Sequence, residues 1–185
     1  MPFCRFVGHK DAKLSLILNC IDPGIGGVLF IGDKGSGKST LARSLDHLLP
    51  QNTPFVDVPL NATEDALLGC VNIEEAVKTG SRIMQQGLLS RARGGALYID
   101  DLNLLNTDIA NLILDARNSE FILVGTMNPE EGPVSSHLLD RFGMCAVFQT
   151  IEEKAQRVRI VKYAVTGESD HEKYHRWDRR LRKSI

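Results

Sequence analysis

The sequence predicts an α/β domain whose parallel sheet is covered by helices on both faces, and three observations predict it. Five short apolar runs alternate with helical patterns along the 185 residues. A glycine-rich loop, Gly32 to Thr40, follows the first run and opens onto a helical pattern. The composition, 43% apolar and 24% charged, is that of an ordinary globular chain. Strands alternating with helices pack as a parallel sheet, which takes its ligand outside the carboxyl ends of the strands.

The elements follow in order. Gly27 to Ile31 is the first predicted strand. After the loop, Leu41, Leu45, Leu48 and Leu49 recur at helical spacing. Pro54 to Val58 reads as the second strand and Ala96 to Ile99 as the third. Between them, Gly69 to Gly87 is long for a plain connection, with room for a helix over Ile73 to Lys78 and a short protruding hairpin. Asp108 to Arg117 carries Ile109, Leu112 and Ile113 on one helical face, and Phe121 to Val124 is the fourth strand. Ser135 to Asp140 predicts a short helix, and Cys145 to Phe148 the fifth strand. Glu152 to Ala164 predicts a longer helix, with Val158, Ile160 and Val161 as its apolar residues. His171 to Ile185 is basic; Trp177, Leu181 and Ile185 recur every four residues, a helical stripe with no evident partner in the rest of the chain.

Bulk properties exclude some functions. A net charge of −1 offers no general attraction for nucleic acid or an anionic membrane. The longest apolar segments, such as Leu14 to Leu18, are far short of a membrane span, and Met1 to Arg5 has no apolar signal region. The expected location is the cytoplasm, or the plastid stroma in a phototrophic eukaryote. Cys4, Cys20, Cys70 and Cys145 show no C-x-x-C spacing, so reduced, mostly buried thiols are expected.

The loop carries the chemistry. G-x-x-x-x-G-K-[ST] lets glycine-rich backbone curl its N–H groups around phosphates; Gly32, Gly35, Gly37, Lys38, Ser39 and Thr40 make up that cradle. Lys38 reaches the β- and γ-phosphates, and Ser39 offers a hydroxyl to Mg²⁺. The third strand ends in Asp100-Asp101, an apolar run closed by two acids. Asp100 is the candidate Mg²⁺ ligand and Asp101 the group that polarises the attacking water. A strand end leading into a helix cap also favours Asp. The fourth strand runs into Asn128-Pro129, where Asn128 either contacts the γ-phosphate and water or starts a turn. Arg141 follows the short helix, either as a cation presented to a transferring phosphoryl group or as the partner of Asp140 or another acid.

Phe6-Val7-Gly8-His9, IDPGIGGVLFIGDKGSGKST, VDVPLNATEDALLG, LYIDDLNLL, GTMNPEEG and LLDRFGM together resemble the AAA+ ATPase (I-type) subunit of magnesium chelatase, over residues 3 to about 165. The resemblance implies a P-loop NTPase of AAA+ type with a five-stranded parallel sheet. It implies a nucleotide-binding domain over 1–165, with 166–185 a linker and the start of a helical lid that is truncated or absent. Implied too is a homo-oligomeric ring, a hexamer, with ATP and Mg²⁺ between neighbours. Its implied partners are the D-type chelatase subunit, which bears an integrin-like metal-binding domain, and the porphyrin-binding H-type subunit. The coupled reaction is Mg²⁺ insertion into protoporphyrin IX, a step of chlorophyll and bacteriochlorophyll synthesis. Asn128 falls on sensor 1, Arg141 on the finger reaching a neighbour's ATP, Val7 and Gly8 on the segment near the adenine, and Gly69 to Gly87 on a helix-2 insertion.

Three departures stand out. Asp101 replaces the family's usual Glu, which sets its carboxylate back by about 1.5 Å. The connection Asn118-Ser119-Glu120 is short where the family has a longer excursion. No residue matches the lid's second sensor arginine; Arg176, Arg179, Arg180 and Arg182 are nearby in sequence only. Two alternatives therefore accompany the motor: a nucleotide-binding switch or scaffold that does not hydrolyse ATP, and a motor serving another chelatase or a metalloenzyme-remodelling complex.

Overall fold

The computed structural model describes residues 1–71, 84–116, 120–165 and 171–185. Its strands are β1 (Val28–Gly32), β2 (Phe55–Val58), β3 (Gly69–Val71), β4 (Met84–Gln86), β5 (Ala96–Ile99), β6 (Ile122–Met127) and β7 (Met144–Phe148). Its α-helices are α1 (Lys10–Ile21), α2 (Lys38–Ser44), α3 (Glu64–Leu68), α4 (Leu88–Ala92), α5 (Thr107–Asp115), α6 (Ser136–Leu139), α7 (Lys154–Val165) and α8 (His171–Arg182). Five strands form one parallel sheet in the order β2-β5-β6-β1-β7. β3 and β4 pair antiparallel as a separate two-stranded sheet within Gly69 to Gly87, where a short hairpin was expected. The helix expected over Ile73 to Lys78 lies outside the described residues, as do Asn118 and Ser119 of the short connection.

Side chains alternate across the sheet with the two-residue period of a strand, and each face builds its own core. Leu29, Leu97, Ile99 and Leu123 pack on one face against Leu67 of α3, Leu89 of α4, and Ile113 and Leu114 of α5. Val28, Phe30, Tyr98 and Val124 pack on the other against Leu16 of α1 and Leu41 of α2. The apolar runs lie on buried strands because both faces are covered, as parallel sheets require.

α1 was not expected from the sequence, where Leu14 to Leu18 reads only as an apolar stretch. It buries Ala12, Ser15, Leu16 and Asn19. Asn19 ties the helix to the sheet: its Nδ2 donates to Ser15 O at 2.9 Å, and its Oδ1 accepts from Gly27 N at 2.9 Å.

Two amphipathic readings need correction. α7 buries none of its residues, and Val158, Ile160 and Val161 are exposed. On α8 the stripe of Trp177, Leu181 and Ile185 is not the docking face, since Trp177 and Ile185 are exposed. Tyr174 and Asp178 are buried instead. Both Asp178 oxygens accept backbone N–H groups of the amino-terminal turn, from Phe3 at 2.9 Å and Cys4 at 2.8 Å, and Arg182 donates to Leu49 O at 2.8 Å. The first N–H groups of a helical turn have no acceptor within it, and the carboxylate satisfies them with charge-assisted bonds.

Candidate nucleotide site

The phosphate loop leaves β1 at Gly32, and β5 and β6 end beside it. Ile99 is level with Gly125 across β5 and β6, and Ile31 with Met127 across β1 and β6. Parallel register therefore delivers the loop, the acid pair and Asn128 to one edge of three adjacent strands. Gly37 adopts φ +96° as the loop turns into α2, and a Cβ there would lie 3.2 Å from Phe6 Cζ. Glycine is needed on both counts.

Lys38 is buried, and its ammonium donates to Gly32 O at 2.6 Å and Asp33 O at 2.8 Å. The cation thus sits inside the turn of its own loop. Gly35 and Thr40 line the adjacent cavity with Gly37.

That cavity, about 550 Å³, is bounded by Phe6, Val7, His9, Ile151, Ile160 and Tyr163. It lies within the range of small-ligand sites. Val7 lines it directly. Gly8 does not: it lies under the wall, where a Cβ would approach Ile151 Cδ1 to 2.9 Å. His9 stacks on Phe148 with ring centroids 4.2 Å apart, and burial, with Lys13 nearby, pushes its pKa down.

The acids occupy unlike environments. Asp100 Oδ1 accepts from Tyr98 Oη at 2.7 Å, Thr126 Oγ1 at 2.7 Å and Ser39 Oγ at 3.0 Å. Burial opposes its ionisation, but those hydroxyls and the Arg43 charge outweigh burial and hold the carboxyl below its ordinary value. Asp101 lies in the left-handed region at φ 51°. Burial and the charges of Asp100 and Glu131 push its pKa up, against the pull of Lys38 and Lys34. One neighbour is held ionised to lower pH while the other holds its proton to higher pH.

Ser39 and Asp100 together supply hard oxygen donors 3.0 Å apart, a set that suits Mg²⁺ shared with a nucleotide's phosphates. Asn128 is buried; its Oδ1 accepts from Glu130 N at 3.2 Å and its carbonyl from Asn103 Nδ2 at 3.2 Å. It thus caps the turn Pro129–Glu131 at the same sheet edge.

Arg141 lies elsewhere. Gly143 N donates to Gly26 O at 3.1 Å, and Met144 is level with Val28, whereas Phe148 is level with Gly32. Four residues of strand, about 13 Å, separate those levels, so Arg141 sits at the amino end of the sheet, away from its own phosphate loop. Its guanidinium pairs with Asp115, not Asp140.

Tyr98 and Thr126 were missed in the sequence. The available signal was a tyrosine inside a buried run, whose hydroxyl must find a partner, two residues before an acid on the same strand face.

Known proteins share this architecture. Residues 27–142 match the family described as AAA domain (dynein-related subfamily). The chain is 39% identical to magnesium-chelatase subunit ChlI of Olisthodiscus luteus over 201 residues, covering 87% of this chain and 60% of that one. It is 39% identical to the ChlI of Euglena gracilis, covering 87% and 62%. With the Nostoc sp. ChlI the identity is 38%, covering 87% and 58%. It thus spans about 60% of the length of these curated relatives. A chain of the complex between subunits BchI and BchD of magnesium chelatase, built on single-particle cryo-EM, superposes with a TM-score of 0.78 at 35% identity, covering all of this chain and 72% of that one.

Proposed function

The chain belongs to the AAA domain family, dynein-related subfamily, and within it to the magnesium-chelatase ATPase subunits, and from that premise we propose that it binds and hydrolyses ATP as the motor of a chelatase complex. The carrying observation is the convergence of Lys38, Ser39, Asp100, Asp101 and Asn128 at the carboxyl ends of β1, β5 and β6, beside a cavity of nucleoside size.

Val7, Phe6 and Ile151 form the wall for the base. Lys38 exchanges the carbonyls of Gly32 and Asp33 for β- and γ-phosphate oxygens, and the loop's N–H groups cradle the phosphates. Asp100 and Ser39 would hold Mg²⁺, which would supply positive charge to offset that developing on the phosphoryl oxygens. Asp101 accepts the proton side of the attacking water, and Asn128 orients that water or the γ-phosphate. Arg141 serves a neighbouring subunit's ATP, because its own loop lies at the opposite end of the sheet. The site is therefore completed between copies, in a ring we take to be hexameric. The D-type chelatase subunit, with its integrin-like metal-binding domain, is the proposed partner ring, a reading the BchI–BchD likeness supports. The H-type subunit is the proposed porphyrin carrier, and Mg²⁺ insertion into protoporphyrin IX the coupled reaction, in cytoplasm or plastid stroma. Among the described residues no helix is long and apolar enough to cross a membrane.

Asp101 favours one second reading, a nucleotide switch that does not turn over, because its carboxylate is short and resists ionisation. Steady-state Mg·ATP hydrolysis over a wide range of protein concentration decides. A specific rate that climbs with concentration supports sites completed between subunits; no hydrolysis despite measured ATP binding overturns the motor and leaves the switch.

A further inference from the structure

Three hydroxyls meet one oxygen at the acid pair. Tyr98 and Thr126 approach Asp100 Oδ1 to 2.7 Å each, and Ser39 to 3.0 Å. An ionised carboxylate has about four acceptor sites over two oxygens, so a single oxygen serves two donors well and a third poorly. The longest of the three contacts is from Ser39. Among the described residues, no hydrogen bond is made to Asp100 Oδ2.

The two short donors are fixed by their surroundings. Tyr98 is buried on β5, with Arg43 4.9 Å over its ring and Phe55 at 6.0 Å; Arg43 is itself paired with Asp57 at 2.9 Å. Thr126 is fully buried on the neighbouring β6. Its Oγ1 accepts the Asp101 N–H at 3.1 Å, which leaves its one hydroxyl proton for Asp100. Thr126 therefore ties the backbone of the second acid to the side chain of the first.

We propose that Tyr98 and Thr126 are positioning residues for the metal: they anchor Asp100 through Oδ1, and leave Oδ2 and the surplus Ser39 hydroxyl to face a divalent cation. The proposal rests on the nucleotide-site reading above. Ser39 is the donor that departs when the cation arrives, while the other two stay.

The test is Mn²⁺ binding, followed by electron paramagnetic resonance, to the full chain carrying a non-hydrolysable ATP analogue. Tyr98→Phe keeps the ring and its packing but removes the hydroxyl; Thr126→Val does the same for the second anchor, and Thr126→Ser restores its donor. Loss of an outer-shell partner typically weakens a metal site by about 10-fold or more. Mn²⁺ affinity is expected to fall by about 10-fold in Tyr98→Phe and Thr126→Val and to return in Thr126→Ser, with the affinity for the analogue in EDTA unchanged throughout. Hydrolysis is expected to show a raised KM for Mg²⁺ at little altered kcat. Wild-type Mn²⁺ affinity in Tyr98→Phe, with analogue binding intact, overturns the proposal alone. A wild-type chain that binds neither analogue nor Mn²⁺ overturns the nucleotide site and the proposal with it. Should Thr126→Val fail to fold, Tyr98→Phe carries the decision.

Discussion

Arg141 and Asp115 form an ion pair of 2.5 Å at the end of the sheet opposite the phosphate loop, with the arginine side chain 25% exposed and the aspartate 72%. The pair holds the cation on the surface, not within reach of the chain's own Lys38. Arg141→Ala is expected to lower turnover by about 10³-fold or more while ATP binding stays. Mixing it with Lys38→Ala is expected to recover part of the activity, since one variant keeps the loop and the other the arginine. Failure of the mixture, with ring formation demonstrated, would exclude a shared site. Asp115→Ala is expected to cost less than about 1 kcal/mol of stability, because the aspartate itself is 72% exposed.

Asp101 makes a separate prediction. Asp101→Glu extends the carboxylate toward the water, and a displacement of that order can change rate by about 100-fold. An increase in ATPase rate is expected; an unchanged rate would show that reach is not limiting.

Asp101→Asn tests the electrostatics. The folded-state pKa of Asp101 is raised, so ionisation opposes folding above the unfolded pKa and has no effect where both states are protonated. Asparagine also tolerates the left-handed backbone. The variant should melt higher than wild type at neutral pH, the gain should vanish as pH falls below the ordinary aspartate range, and hydrolysis should be lost. Equal melting at neutral pH would contradict the crowded-charge account.

Gly37→Ala places a Cβ 3.2 Å from Phe6 Cζ at φ +96°. Left-handed backbone costs a non-glycine residue about 1–2 kcal/mol. Calorimetric ATP affinity is expected to fall with the loop's distortion, and wild-type affinity would show that the loop relaxes freely.

Asp178 links the chain's two ends. Its loss leaves two N–H groups without their charged acceptor, at about 2–4 kcal/mol. Burial, aided by the Asp178 contact, pushes the Cys4 thiol up to about 12, so Cys4 should alkylate slowly at pH 8. Asp178→Ala should melt lower and label faster at Cys4; unchanged labelling would separate the thiol from the tether.

Much of this arrangement was legible in local chemistry. The loop is legible because phosphate binding demands glycines, a lysine and a hydroxyl at fixed spacing, and Asp100-Asp101 because an apolar strand that ends in acids marks a sheet edge. The strands were legible because burial on both faces leaves continuous apolar runs. α1 was harder: its exposed Leu14 and Ile21 blur the period, while the polar Asn19 is the residue that locks it. The stripe on α8 misled for the converse reason, since its anchor is a carboxylate.

A phosphate loop facing an acid pair on a parallel sheet was thus written into the order of the residues, because each of those features is dictated by neighbours along the chain. Three relationships came from packing alone: Thr126 of β6 reaches the Asp100 oxygen beyond β5, Arg141 pairs with Asp115 far from its own loop, and Asp178 fastens the last helix to the first turn. Each joins residues on different elements, so strand register and helix docking fix it, and no local pattern of residues encodes either.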